Sequence, residues 1–193
     1  MNRNQEKELV KLSKELELAV KVENSVLVNK LYNKISDFIK DDLSLYKGWF
    51  NYLILNYEDF IDEEADLEQV FKQAILKSHS VQNYFQGKEL AELLFLQYQL
   101  IDILTEYDGD FFSEYPVDYQ LQLLNQTIGL NPNHSEAREK RAYIFQAIGD
   151  QDKMMKDFEA IEHSVENKNS DFQRFSIANA YQLNQNDEKA IVA

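Results

Sequence analysis

The sequence predicts an all-α protein built of antiparallel helix pairs with no sheet, on three observations. Apolar residues recur at helical spacing along the 193 residues, whereas period-two alternation bounded by turn clusters is never sustained. Two prolines and five glycines are the only strong breakers, and no Pro/Gly/Ser-rich stretch interrupts the chain, so one domain over residues 1–193 is expected. The third observation is the segment from Leu130 to Ile161, a complete helix-turn-helix unit whose entry and exit are both marked.

Residues 1–42 read as a helical hairpin that caps one end of a stack. Its first helix, about Gln5 to Val22, carries Leu9, Leu12, Leu16 and Ala19 on one side and charged residues elsewhere. A break at Glu23-Asn24-Ser25 leads to a second helix with Val28, Leu31, Ile35, Phe38 and Ile39 at core spacing.

Residues 43–116 follow as degenerate helix pairs. Trp49, Phe50, Tyr52, Leu53, Ile54, Leu55 and Tyr57 make one helix apolar nearly all round, which predicts burial between neighbours. Leu67, Phe71 and Ala74 mark the helix paired with it. The acidic run from Glu58 to Glu68 contains no glycine, so it lacks the sharp mid-loop turn of a calcium loop and reads as a solvated turn and helix start. Gly87 to Glu106 is a long apolar helix with Leu90, Leu93, Leu94, Leu96, Leu100, Ile103 and Leu104. The aromatic loop from Tyr107 to Pro116 is long for a helical bundle and is expected to fold back onto the core.

Residues 117–193 carry the clearest pattern. Leu121, Leu124, Ile128 and Leu130 line a helix that ends at Asn131-Pro132-Asn133, because the residue before proline is pushed out of the α region. Ser135 is the expected N-cap of the next helix, with Glu136 in the first turn and Ala142, Phe145 and Ile148 as its apolar face. Gly149-Asp150 turns the chain into a helix with Met154, Phe158 and Ile161 on one side. After Ser170 the pattern returns in Ile177, Ala178, Tyr181 and Ala190. The last helix begins at Ala190-Ile191-Val192 and stops at once, which predicts partial exposure of Phe172, Phe175 and Ile177. A weak homodimer through that end, or a longer natural chain, is the consequence.

These residues resemble the tetratricopeptide (TPR) repeat, a helix-turn-helix unit with a period of about 34 residues. Counted from Ser135, Ala142 and Phe145 match the small and aromatic positions of its helix A, Gly149 the turn glycine, and Phe158 the aromatic of helix B. Pro132 closes the preceding repeat. Arg138 and Arg141 stand where the family has large apolar residues, and Met154 replaces an alanine. The resemblance implies a right-handed α-solenoid whose A helices line a concave groove. It places Glu136, Glu139, Tyr143 and Gln146 of one repeat, and Phe172, Phe175, Asn179 and Gln182 of the next, on that partner-binding face. Of the residues the family uses to clamp a terminal carboxylate, only Asn179 and Lys140 have counterparts.

Composition bounds the function. Thirty-four acidic against 20 basic residues give a formal charge of −14, which disfavours nucleic acid and anionic membrane as partners. With no cysteine there is no disulfide, thiolate metal site or cysteine nucleophile. His79, His134 and His163 form no metal-binding pair, and glycine-rich phosphate loops and serine elbows are missing, so no catalytic residue, metal or cofactor is expected. The charged start MNRNQEKELVKLSKELEL has no signal-peptide core, and a cytoplasmic protein is expected. These features favour a non-catalytic module that binds a partner protein or peptide, expected to be basic. An immunity- or antitoxin-like protein neutralising a basic effector is the sharper version, set beside adaptor and scaffold roles. The alternative is a small-molecule sensor or enzyme with an aromatic pocket between Trp49 to Tyr57 and Leu90 to Tyr98.

Overall fold

The structure, a computed structural model, describes residues 3–62, 67–107, 110, 113–163 and 171–183, the side chains of residues 62, 171–175 and 183 excepted. The described residues form ten α-helices and no strand. They fall into two compact units, Met1–Tyr115 and Pro116–Ala193.

The first unit contains α1 (Arg3–Lys21), α2 (Ser25–Phe38), α3 (Leu43–Leu55), the single turn α4 (Asp59–Asp62), α5 (Leu67–Val81) and α6 (Gly87–Tyr107), with a 3-10 turn at Gln82–Tyr84. α1 and α2 pack together: Leu12 and Ala19 lie against Val28, Leu31 and Ile35, with Leu9 and Leu16 partly buried beside them. The turn is set by Glu23 in the left-handed region at φ 54°, and by Asn24, whose side chain accepts from the Leu27 N–H. The outer side of α1 is less polar than a cap predicts, since Val10, Leu18 and Val20 are exposed there, with Val22 just beyond.

α6 is the centre of this unit, packed against both α3 and α5. Its six consecutive residues Leu93 to Tyr98 are all buried, which requires neighbours on more than one side of the helix. α3 does not follow the same pattern. Tyr46, Trp49, Phe50 and Leu53 are buried, but Leu55 is 81% exposed, so the expectation of all-round burial is corrected. One face of α3 satisfies α6 and α2, and the sequence placed more apolar residues on the helix than its neighbours cover. Gly48 has a steric role: a Cβ there would sit 3.0 Å from the Tyr32 hydroxyl, and Tyr32 stacks on Trp49 at 6.4 Å between ring centroids.

Buried polar atoms in this unit are paired by short hydrogen bonds. The Trp49 indole N–H donates to Asn29 Oδ1 at 2.8 Å. Ser25 Oγ donates to Asp59 Oδ2 at 2.5 Å, which leaves Tyr52 as donor to Ser25 at 2.9 Å. Ser78 Oγ and Gln82 Nε2 both donate to Gln97 Oε1, and Gln97 Nε2 lies 2.8 Å from His79 Nε2. Glu114 ties the segment before Pro116 to α5 through Lys72 at 2.5 Å, and Lys72 also pairs with Glu68. Phe111 and Phe112, the aromatics expected to fold back, lie outside the described residues, as do Glu63, Glu64 and Asp66 of the acidic run.

The second unit contains α7 (Val117–Leu130), α8 (Ser135–Ala147), α9 (Gln151–Glu162) and α10 (Asp171–Leu183), each packed on the next. Its core joins Ala142 and Phe145 of α8, Met154, Met155, Phe158 and Ile161 of α9, and Ile177, Ala180 and Tyr181 of α10. Gly149, at φ 81°, makes the α8–α9 turn, and Asp150 caps α9 by accepting from the Lys153 N–H.

Three expectations change here. The cap of α8 is His134, whose Nδ1 accepts from the Ala137 N–H at 3.3 Å, and Ser135 is the first helical residue. Ile148 lies just beyond α8 and is 54% exposed, because the turn at Gly149 begins before the next turn of apolar face. Ile177 is 1% exposed, covered by α9, so it does not contribute to an exposed terminal patch. The Phe172 and Phe175 side chains, and the segment from Ala190 to Ala193, lie outside the described residues.

Candidate functional site

The expected binding face falls on α8 and α10. Glu136, Gln146, Asn179 and Gln182 are exposed there. Tyr143 is half-buried, its ring edge-on to Phe158 and its hydroxyl 2.5 Å from Ser176 Oγ. Glu139 is only 8% exposed, and its Oε1 lies 3.3 Å from both hydroxyls; one of them donates to the other, and the second donates to this carboxylate. Burial pushes the pKa of the Tyr143 hydroxyl above its ordinary value. Glu139 and Tyr143 therefore hold α8 to α10, and the residues left facing solvent between them are mostly uncharged amides with Glu136 at the start of α8. Tyr181 anchors α10 to α9, its hydroxyl donating to Glu162 Oε2 at 2.6 Å.

A second feature of this unit lies between α7, α8 and α9. Asp157 of α9 is 2% exposed and is held by two arginines of α8. Arg141 grips it with both arms of the fork, Nε to Oδ2 at 2.7 Å and Nη2 to Oδ1 at 2.6 Å, and Arg138 adds Nη1 to Oδ1 at 3.0 Å. Arg141 Nη1 also donates to Asn125 Oδ1 of α7, and Arg138 Nε to the Pro132 carbonyl. One carboxylate so gathers α7, the proline turn, α8 and α9. Beside the cluster is a cavity of about 360 Å3, walled by Leu121 and Phe145 and edged by Arg141, Lys153 and Lys156.

Three solved structures are similar to this chain in fold. "Crystal structure of MamA protein" aligns over 95% of this chain and 86% of its own at TM-score 0.59 and 13% identity. TTC0263, titled a thermophilic TPR protein in Thermus thermophilus, aligns over 94% and 87% at 0.59 and 11%. YrrB, titled a TPR protein with an unusual peptide-binding site, aligns over 91% and 77% at 0.52 and 15%. The fold is that of a TPR protein. No family model matches the chain, and no curated protein matches it.

In TPR terms α8 and α10 are A helices, and α7 and α9 are B helices. The two arginines are then the places where this chain leaves the repeat pattern, and Asp157 is the compensating residue on the facing helix. The signal was present in the sequence as two basic residues at i and i+3 in apolar positions. Sequence reasoning missed Asp157, Asn125, Lys153 and Lys156 because nothing local pairs residues that lie 16 apart, on helices whose register is set by packing. Among the described residues no group of acids, histidines or cysteines is placed to hold a metal ion. No described helix is long and apolar enough to cross a membrane. The aromatic middle of the first unit is packed on itself: Trp49, Phe50 and Tyr98 are buried, with rings of Trp49 and Phe50 5.3 Å apart.

Proposed function

We propose that the chain is a non-catalytic interaction module that binds a protein or peptide across the exposed face of α8 and α10. The observation that supports this most is the division of labour on that face. Glu139, Tyr143 and Ser176 lock the two helices, while Glu136, Gln146, Asn179 and Gln182 remain exposed and free of core duty. Exposed polar side chains on fixed helices suit recognition, because the scaffold does not change when they are varied. The TPR fold, shared with a neighbour titled as having a peptide-binding site, supports the same reading.

The partner proposed is basic, and the charge of −14 supports this by steering cations toward the surface. The sharper form is a small acidic protein that neutralises a basic effector in the manner of an immunity protein or antitoxin. Glu136→Lys is the cleanest test, since Glu136 is exposed whereas Glu139 carries the α8–α10 contact. Basic peptides from an array should associate more slowly with the variant at low salt, and wild-type affinity should weaken as salt rises. Peptides of either charge binding equally, with Glu136→Lys silent, would remove the reading. For the sharper form, a neighbouring gene product that arrests growth alone should be harmless when co-expressed.

A further inference from the structure

The cluster around Asp157 contains more positive charge than it needs. Arg138 and Arg141 together already outnumber the single carboxylate between them. Lys153 adds a third cation, paired with Asp150 at the rim, and Lys156 a fourth, which is in no ion pair among the described residues. Three of these cations, Arg141, Lys153 and Lys156, line one cavity with a single carboxylate, Asp157, which the arginines already hold, in a chain whose overall charge is −14. A purely structural role for the arginines accounts for Asp157, but it does not account for Lys156.

The cavity is also two-natured. Leu121 and Phe145 form an apolar wall, and the ring of Phe145 lies 5.8 Å from the Arg141 guanidinium carbon and 5.2 Å from Lys153 Nζ. Arg141 is fixed before any ligand arrives, because Asp157 and Asn125 occupy three of its five N–H donors and leave two. A volume of about 360 Å3 is at the small end of ligand sites and matches a single residue or a small organic acid.

We infer that this cavity binds a carboxylate joined to an apolar group, the carboxylate meeting Arg141, Lys153 and Lys156 and the apolar group lying on Leu121 and Phe145. A dianionic phosphate would meet the same cations but is repelled twice as strongly by the chain's net charge and gains nothing from the apolar wall. The site is separate from the α8–α10 face and does not depend on it. Its ligand comes from one of two sources, a free organic acid or the C-terminal residue of a peptide.

Titration of the 15N-labelled full chain with 3-phenylpropionate, and with a blocked tetrapeptide ending in phenylalanine with a free carboxylate, tests this. Amide resonances of Asn125, Phe145, Lys153 and Lys156 should shift at millimolar ligand. The uncharged controls, 3-phenylpropionamide and the peptide amide, should bind about tenfold more weakly or worse, as loss of a charge-assisted contact requires. Lys156→Gln and Lys153→Gln, both at exposed positions, should weaken the acid severalfold while leaving the circular dichroism unchanged. A peptide that binds more tightly than phenylpropionate assigns the site to protein termini, and equal binding assigns it to free acids; either result supports the cavity. No shift at these residues, equal binding of acid and amide, or indifference to both lysine variants would overturn the inference.

Discussion

The two units seal different chemistry into their interiors. In Met1–Tyr115 the buried polar side chains among the described residues are Ser25, Asn29, Ser36, Ser78, Gln97 and Thr105, all uncharged, and Asn29 and Ser25 bond to the aromatic side chains of Trp49 and Tyr52 on α3. In Pro116–Ala193 two carboxylates are buried among the described residues, Glu139 and Asp157, and the second is clamped by arginines. A neutral core depends on volume and hydrogen-bond geometry, whereas an ionic one depends on every partner being kept. The same stacked-helix plan can therefore be stabilised by packing in one unit and specified by charge pairing in the next.

The comparison is broken most directly by removing volume from the first unit. Phe50→Ala deletes a fully buried ring in contact with Trp49 and Tyr46 and should cost about 3–5 kcal/mol. Urea unfolding followed by fluorescence is selective here, because Trp49 is the chain's one tryptophan. Circular dichroism reports both units. Expectation of one domain over residues 1–193 predicts that the two signals coincide in wild type; separated transitions would divide the chain thermodynamically at Pro116.

Charge is the matching target in the second unit. Asp157→Asn leaves two guanidinium groups facing one buried amide and should destabilise by about 3 kcal/mol, in the range for breaking a buried ion pair. Replacing the whole cluster, with Arg138→Met, Arg141→Leu and Asp157→Leu together, should recover most of that loss, because it restores the apolar positions of the repeat. A triple variant as unstable as the single one would show that volume, not unpaired charge, is what the site lacks.

The smallest effect expected is a pH dependence confined to the first unit. Burial pushes His79 below its ordinary value of 6.5, so the folded state favours the neutral ring beside Gln97. A depressed histidine contributes stability that is complete above pH 6.5 and is lost as pH falls through the folded value. Wild type should therefore lose more stability between neutral and mildly acidic pH than His79→Gln, by thermal melts in matched buffers. Equal losses would place the acid sensitivity elsewhere.

Sequence by itself determined the helices, their order and the apolar faces of most of them. Helical spacing, the proline turn at Pro132 and the glycine turn at Gly149 are local signals, and local sterics enforce them. It also located α8 and α10 as neighbours, through the resemblance rather than through spacing. Only the tertiary structure decided how completely each face is covered: Leu55 is left in solvent, Ile177 is buried, and His134 takes the cap from Ser135. Only the tertiary structure showed that Glu139 belongs to the packing and that Asp157 answers Arg138 and Arg141. The physical reason is range. Helix formation is settled within four or five residues, but a charge is acceptable in a core only if a partner on another helix arrives in register, and that register is set by the packing of the whole unit.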